Sequence, residues 1–328
     1  MNTITLPPVG MQGRWRIYGT NKFNGHRRLL GKQDNILLNS GLTNLGYQTG
    51  GFLTHCQVGT GQGEATAGET GLKNWVNGTD NILSGGVTIG SGSTPNEEHG
   101  LKQITWRFTE GEVSGQGALS EIGAGWAVGP GANVVSLAQI IDPITGNPTT
   151  VSPLPDELLD AQYEMRYYAP VGDSVGQVTL DGVDYDYIVR AANAASSTAW
   201  GNYIGQEPGA VAGQSLWVAY GADGDIGTRT GAPTGTPDQA DNSNQSEETY
   251  LGTRERVCLA DVGPTGWVVP QGIRTLLCQT TMGQYQIRFG VATQAGQPLP
   301  IDDPIPKTSG NPQLMGIGLR IAWAQYPF

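Results

Sequence analysis

Residues 156–168 read Asp-Glu-Leu-Leu-Asp-Ala-Gln-Tyr-Glu-Met-Arg-Tyr-Tyr, and the fold class turns on them. By propensity the first half suits a helix, because Glu, Leu, Ala and Gln all rank high as helix formers. The spacing says otherwise. Leu159, Ala161, Tyr163, Met165 and Tyr167 alternate with Asp160, Gln162, Glu164 and Arg166. A period of two over nine residues places one apolar and one polar face on an extended strand. The most helix-like stretch of the chain is therefore expected to be β.

The same alternation recurs outward from it. Arg14 to Tyr18 alternates, Asn24-Gly25 supplies a turn, and Arg27 to Leu30 returns as a partner strand. Ile104, Trp106 and Phe108 alternate with Thr105 and Arg107. The run 134–141 is short, β-branched and bounded by Gly and Pro, which favours a buried strand. Val178 to Leu180, Asp181-Gly182 and Tyr185 to Val189 form a second hairpin signal. Gln284 to Val291 and Met315 to Trp323 alternate most clearly of all. Ser40 is expected to cap a short helix through about Tyr47. From 75 to 100, Asn77-Gly78 and Gly85-Gly86 read as turns. Residues 221–249 read as one long exposed loop.

Composition agrees with this pattern. The chain has 50 Gly and 20 Pro in 328 residues, or 70 backbone punctuators, about 21% against an average near 12%. Helical bundles do not tolerate so much glycine. The apolar fraction of 38%, with 8 Trp, 12 Tyr and 5 Phe, supplies one or two sizeable cores and argues against disorder. The expectation is an all-β protein, a jelly-roll-like β-sandwich with long Gly-rich loops and little helix. Two domains are expected, an N-terminal sandwich over 1–170 and a C-terminal β domain over 171–328 that carries the 221–249 loop.

Charge and motifs narrow the function. Eighteen Lys and Arg against 29 Asp and Glu give a net charge of −11, the wrong sign for a nucleic-acid partner. The N-terminus has neither the cationic nor the apolar region of a signal peptide, and no apolar run is long enough for a bilayer helix. Cys56, Cys258 and Cys278 form no CxxC pair and read as buried thiols. His26, His55 and His99 have no metal-ligand spacing, and His55 next to Cys56 would face the opposite side of a strand.

The glycine-rich segment Val58-Gly59-Thr60-Gly61 lacks the Gly-Lys-Ser/Thr and βαβ context of a phosphate loop. Carboxylates cluster at Glu97-Glu98, Asp156-Glu157, Asp184 and Asp186, Asp223 and Asp225, Glu247-Glu248, and Asp302-Asp303. Such neighbours read as solvated loop charges and nominate no acid–base pair for glycoside hydrolysis. Asp223-Gly224-Asp225 resembles a fragment of a calcium loop but offers too few ligands. No catalytic residue, cofactor or metal is expected.

The ordered segments carry a resemblance. They are Gly13-Arg14-Trp15, the run 35–42 (Asn-Ile-Leu-Leu-Asn-Ser-Gly-Leu), Val58-Gly59-Thr60-Gly61, Leu119-Ser120-Glu121-Ile122-Gly123, the run 146–150, and Tyr163-Glu164-Met165-Arg166. Gly283 to Phe289, Ile305-Pro306-Lys307 and the closing strand through Trp323 complete the set. Together they resemble a diverse group of tailed-bacteriophage virion proteins of the tail fibre, collar, neck or baseplate. The resemblance implies a β-rich structural subunit of a phage particle, made in the bacterial cytoplasm and located in the virion. Its implied partners are copies of itself and other virion proteins. A second expectation is attachment to host surface glycan through the 221–249 loop and exposed aromatics. The chain has no long repeat shaft, so a compact subunit is expected rather than a whole fibre.

Overall fold

The computed structural model describes residues 2–45, 52–92, 98–113, 116–131, 134–180, 182–192, 217–241, 245–249, 254–260, 269–280, 283–290, 293–294, 297–298, 305–307 and 317–326. Strands dominate. In chain order they are β1 (Asn2–Thr5), β2 (Val9–Asn21), β3 (Arg27–Leu37), β4 (His55–Gly59), β5 (Trp75–Thr79), β6 (Ile82–Gly92), β7 (His99–Phe108), β8 (Glu121–Gly125) and β9 (Val134–Gln139). They continue with β10 (Glu157–Tyr168), β11 (Ser174–Leu180), β12 (Val183–Ala192), β13 (Trp217–Tyr220), β14 (Pro237–Asp241), β15 (Gln245–Thr249) and β16 (Glu255–Ala260). The last are β17 (Val269–Ile273), β18 (Thr275–Thr280), β19 (Gly283–Phe289), β20 (Thr293–Gln294), β21 (Gln297–Pro298), β22 (Ile305–Lys307) and β23 (Ile317–Gln325). Two short helices, α1 (Asn39–Asn44) and α2 (Glu110–Val113), complete the list. The chain is all-β, as the alternation requires.

It divides into two compact units that are discontinuous in sequence. One comprises Met1–Gly10, Gly90–Gly100 and Tyr167–Ala324; the other comprises Met11–Ile89, Leu101–Arg166 and Gln325–Phe328.

In the first unit a six-stranded sheet runs β11-β12-β19-β18-β13-β14. Its buried face carries Tyr187, Val189, Tyr285, Ile287 and Phe289, the inward set of the predicted alternation. A second group pairs β15 with β16 and β16 with β23. The N-terminal strand β1 lies parallel to β23, from Asn2 opposite Ile317 to Thr5 opposite Arg320. Thr5 is also held from the side, its amide donating to the Tyr187 hydroxyl at 3.1 Å.

In the second unit the pairings run β5-β4-β8-β9-β3-β2-β10-β7-β6. The two ends of that run, β5 and β6, are consecutive in sequence and separated by Asp80 and Asn81 alone. Three residue steps span at most ~11 Å, so Thr79 and Ile82 stay close and the sheet curls back on itself. β10 lies in the middle of this run and is buried on both faces over much of its length. That explains its sequence: a strand with apolar residues inward and paired charges outward needs no intrinsic β preference, because burial and pairing override propensity. Trp15 of β2 packs at 4.7 Å against Tyr163 of β10, the rings tilted by 45°, and lies 6.4 Å from Trp106 of β7. All three rings are fully buried. Gly13 of β2 has no side chain for a local reason, since a Cβ there would collide with Asn35 and the Tyr163 hydroxyl.

Three local expectations are corrected. Asn77-Gly78 and Gly85-Gly86 are not turns between elements but lie inside β5 and β6. Residues 221–249 are not one loop, because β14 and β15 fall within them. Ser40 does not cap α1; Leu38 occupies the cap position and makes no side-chain cap bond. Tertiary contacts place this helix instead, with the Leu38 amide bonded to Val135 O at 2.9 Å and Gly41 packed on the Val135 backbone. Tyr47 lies outside the described residues.

Candidate functional site

The chemistry-bearing side chains of the second unit converge on its sheet, and each is met by a partner that fixes it. Glu121 opens β8 with its carboxylate almost fully buried. It accepts the amides of Gly61 (3.0 Å), Lys73 (3.0 Å) and Asn74 (2.8 Å). Ser120 adds a bond from its hydroxyl to Gly61 O at 2.7 Å. Glycine is required at 59 and 61 because a Cβ at either would meet the Glu121 carboxylate. Amides converging on an anion are the geometry of a phosphate loop. Here the chain supplies the anion itself. The Val58–Gly61 and Leu119–Gly123 motifs are thus two halves of one structural device.

Asp160 of β10 is also fully buried. It receives Arg107 of β7 in a bidentate pair (2.7 and 2.8 Å) and the Thr20 hydroxyl of β2 at 2.6 Å. Glu157 receives Arg28 in the same way, at 3.1 and 2.8 Å, and accepts the Leu154 amide at 3.0 Å. Three further cations of the β2–β3 hairpin are paired with carboxylates. Arg14 meets Asp34 (2.9 Å), Arg16 meets Glu164 (4.0 Å) and Lys22 meets Glu110 (2.7 Å). Arg27 lies over the Tyr18 ring at 3.9 Å. In an acidic chain this hairpin is a basic strap laid on acidic strands.

The Arg28 hydrogen bonds hold the Glu157 carboxyl below the usual glutamate range, with burial acting in the opposite sense. A depressed folded-state value gives stability that is fully present above the ordinary glutamate pKa of ~4.3 and is lost as pH falls through the folded value. Glu157→Gln is therefore expected to lower stability by a constant amount above pH ~5, with the gap to the wild-type chain closing below pH ~4. Urea unfolding across that range checks it; a gap that persists at the lowest pH contradicts the assignment.

The other described candidates are also engaged, the Glu247 and Glu248 side chains lying outside the description. Asp156 accepts the Asn21 amide group (2.6 Å), Asp184 accepts the Thr179 hydroxyl (2.6 Å), and Asp186 accepts Gln177 (3.1 Å). Asp223 accepts the amide and hydroxyl of Thr236, and Asp225 pairs with Arg288 at 3.0 Å. The two aspartates thus hold the loop through separate partners. Glu98 pairs with Arg229 at 2.5 Å. Buried Gln286 clamps the same loop, donating to Thr228 O (2.9 Å) and accepting the Gly227 amide (2.7 Å). The part of 221–249 expected to reach outward is in this stretch fastened to the sheet. His55 has its Nδ1 2.7 Å from the Thr54 hydroxyl, while Cys56 beside it is buried on the other face. Trp106 and Trp323 are core residues, and Trp126 stacks on Phe52. Glu97, Asp302 and Asp303 lie outside the described residues.

Among the exposed apolar features, two belong to the second unit's strand β6 and hairpin tip, and sequence reasoning missed both. The first is β6. Its only strand partner among the described residues is β7, so no described strand pairs its other edge. Its eleven residues, Ile-Leu-Ser-Gly-Gly-Val-Thr-Ile-Gly-Ser-Gly, contain no charge and no proline. Ile82 (40% exposed) and Val87 (43%) are bare, as are Ser84 and Thr88, so the strand meets solvent on both faces. Gly85, at φ +71°, bends it without adding charge. The opposite edge, β5, is treated differently: α2 sits against it, and Asn77 donates to Glu112 O at 2.9 Å. The second feature is the tip of the β2–β3 hairpin, where Phe23 is 86% exposed. No described group of three or more His, Cys, Asp or Glu is arranged to hold a metal ion. No described helix is long and apolar enough to cross a membrane.

No protein-family model, curated protein or solved structure matches the chain.

Proposed function

We propose that the chain is a structural subunit of a bacteriophage particle, assembling with copies of itself and other virion proteins in a tail, collar or fibre appendage. The observation that carries this reading is the bare edge of β6. A free edge presents a row of unpaired amides and carbonyls, and monomeric proteins blunt such edges with charge, proline or a covering element. Among the described residues α2 sits against β5, while no strand pairs the second edge of β6, which is uncharged. A strand of that kind suits pairing with a neighbouring subunit, where main-chain hydrogen bonds supply the affinity. The resemblance to phage virion proteins supplies the setting. The interlock of two of its motifs at Glu121 gives those residues a structural reason to occur together.

The test is incorporation. Mass spectrometry of purified particles from the producing phage is expected to detect the chain. A Val87→Lys copy supplied in its place is expected to fold and to be depleted from particles at least ~10-fold, because a charge on the free strand opposes pairing. Absence of the wild-type chain from particles overturns the virion reading. Normal incorporation of the variant overturns the role of β6.

A further inference from the structure

We infer that the cleft beside Arg16 and Lys32 in the β2–β3 hairpin binds an acidic sugar, a monosaccharide-sized ligand that carries one carboxylate or phosphate. The inference does not rest on the virion reading.

Strand register sets up the site. Arg16 of β2 and Lys32 of β3 are direct partners in their antiparallel pair. Such partners share one face with Cβ atoms ~5 Å apart, and like charges placed so destabilise a sheet. The chain has 29 acids against 18 cations, so carboxylates to separate the two are plentiful. They are not placed here. The exposed Lys32 ammonium has no ion pair or hydrogen bond among the described residues. Arg16 reaches Glu164 through Nη1 alone, at 4.0 Å, and Arg166 holds that carboxylate closer, at 2.6 Å. The same Nη1 makes a long bond to Gln162 Oε1 at 3.4 Å. The Nε and Nη2 donors of Arg16 are thus left without a described partner. An anion between the two side chains would turn their repulsion into attraction.

The pair opens onto a cleft of about 440 Å³, inside the range of small-molecule pockets. Its other charged residues are Arg14, Asp34 and Asp142. Arg14 and Asp34 neutralise each other at 2.9 Å. Asp142 spends Oδ1 on the amides of its own turn, Ile144 (2.8 Å) and Thr145 (2.7 Å). The lining therefore holds three cations against two carboxylates, and Glu164 with Arg166 adds one of each. This is a locally positive cleft in a chain of net charge −11, and low-dielectric walls focus such a field.

The chemistry of the lining selects the ligand. The free edge of an arginine offers two parallel donors that match a carboxylate or phosphate, and Lys32 adds a third from the facing strand. A carboxylate has about four lone-pair sites, so Asp142 keeps capacity to accept ligand hydroxyls, which an inorganic ion does not bring. Ile141 and Pro143 supply an apolar wall for the C–H face of a sugar ring. Gln33 lines the same cleft at 9% exposure, and its Nε2 has no partner. One oxyanion, several hydroxyls and an apolar ring face together describe a sugar acid or a sugar phosphate.

Calorimetric titration of the full chain with glucuronate, glucose 6-phosphate, glucose and inorganic phosphate tests the site. An acidic sugar is expected to bind with a Kd of ~1 mM, and glucose and inorganic phosphate at least ~10-fold more weakly. Binding of only one acidic sugar supports the site and identifies its group as carboxylate or phosphate. Arg16→Gln and Lys32→Gln are each expected to weaken binding at least ~10-fold. Lys32→Gln removes a repulsion, so its melting temperature without ligand is expected at or above that of the wild-type chain. The rise in melting temperature that saturating ligand gives the wild-type chain is expected to vanish in that variant. Failure of both acidic sugars to bind overturns the inference. Equal binding of glucose overturns the role of the anion, and equal binding of inorganic phosphate overturns that of the sugar. Unchanged affinity in both variants overturns the location. None of these results bears on whether the chain is found in particles.

Discussion

Glu121→Ala is expected to destabilise the chain by about 3–5 kcal/mol, a large share of the ~5–15 kcal/mol that holds a domain together. The carboxylate accepts three main-chain amides, and a hydrogen bond to a charged group is worth roughly 1.5–3 kcal/mol. The three do not add in full. The Lys73 and Asn74 amides are only partly buried and regain water when the acceptor leaves, whereas the bond to Gly61 is buried and that amide would be left without an acceptor. Glu121→Gln is expected to lose less, because its amide oxygen can take the Oε1 place and keep the Gly61 and Asn74 amides while its NH₂ faces only the Lys73 amide. The loop between Gly61 and Lys73 should open before the rest of the unit. Limited proteolysis is therefore expected to cut the variant between residues 62 and 72 under conditions where the wild-type chain survives. An unchanged urea midpoint together with an unchanged digestion pattern would show that the loop holds without the carboxylate.

The history of Glu121 shows where sequence reading stops. The chain displays Val58-Gly59-Thr60-Gly61 and Leu119-Ser120-Glu121-Ile122-Gly123 plainly, and both fall on or beside strands. What joins them is a contact across 60 residues, and no local pattern encodes that. β10 was legible because a period of two is a property of neighbouring residues, and it survived a contrary helical propensity. β5 and β6 were not legible, for the opposite reason. Asn-Gly and Gly-Gly are turn signals in isolation. Inside β5, however, Asn77 spends its side chain on the Gly78 amide and on Glu112 O, and pairing to β4 keeps the strand extended. In β6 the absence of charge and the many Gly, Ser and Thr residues looked like a loop, although a strand without charge is also how an unpaired edge reads. The 221–249 tract misled in the same way. Its polar residues are turned onto Gln286, Arg190 and Arg288, whose positions lie 37 to 63 residues distant in sequence. Composition reported the polarity correctly and said nothing about what the polar groups would meet.

Asp160→Ala is the second substitution with a large expected effect, and it connects the core of the second unit to the edge proposed for assembly. Asp160 binds β10 to β7 through Arg107 and to β2 through Thr20. Removing one member of a buried ion pair costs roughly 3–5 kcal/mol, because the surviving charge is left without compensation. Arg107 keeps 27% of its side chain exposed and can recover some water, which places the expected loss near 3 kcal/mol. Its guanidinium stays charged even without Asp160, because arginine does not deprotonate in proteins. Arg107→Met in the Asp160→Ala background should therefore restore part of the stability, and the double variant is expected to unfold at higher urea than Asp160→Ala alone. Strict additivity of the two substitutions would show that the pair is not coupled. β7 is the one strand on which β6 rests among the described residues. Loosening β7 should then disturb the free edge before it unfolds the unit, so hydrogen exchange in residues 82–88 is expected to accelerate in Asp160→Ala and to slow again in the double variant. If those amides exchange no faster than in the wild-type chain, the edge owes its position to something other than this ion pair.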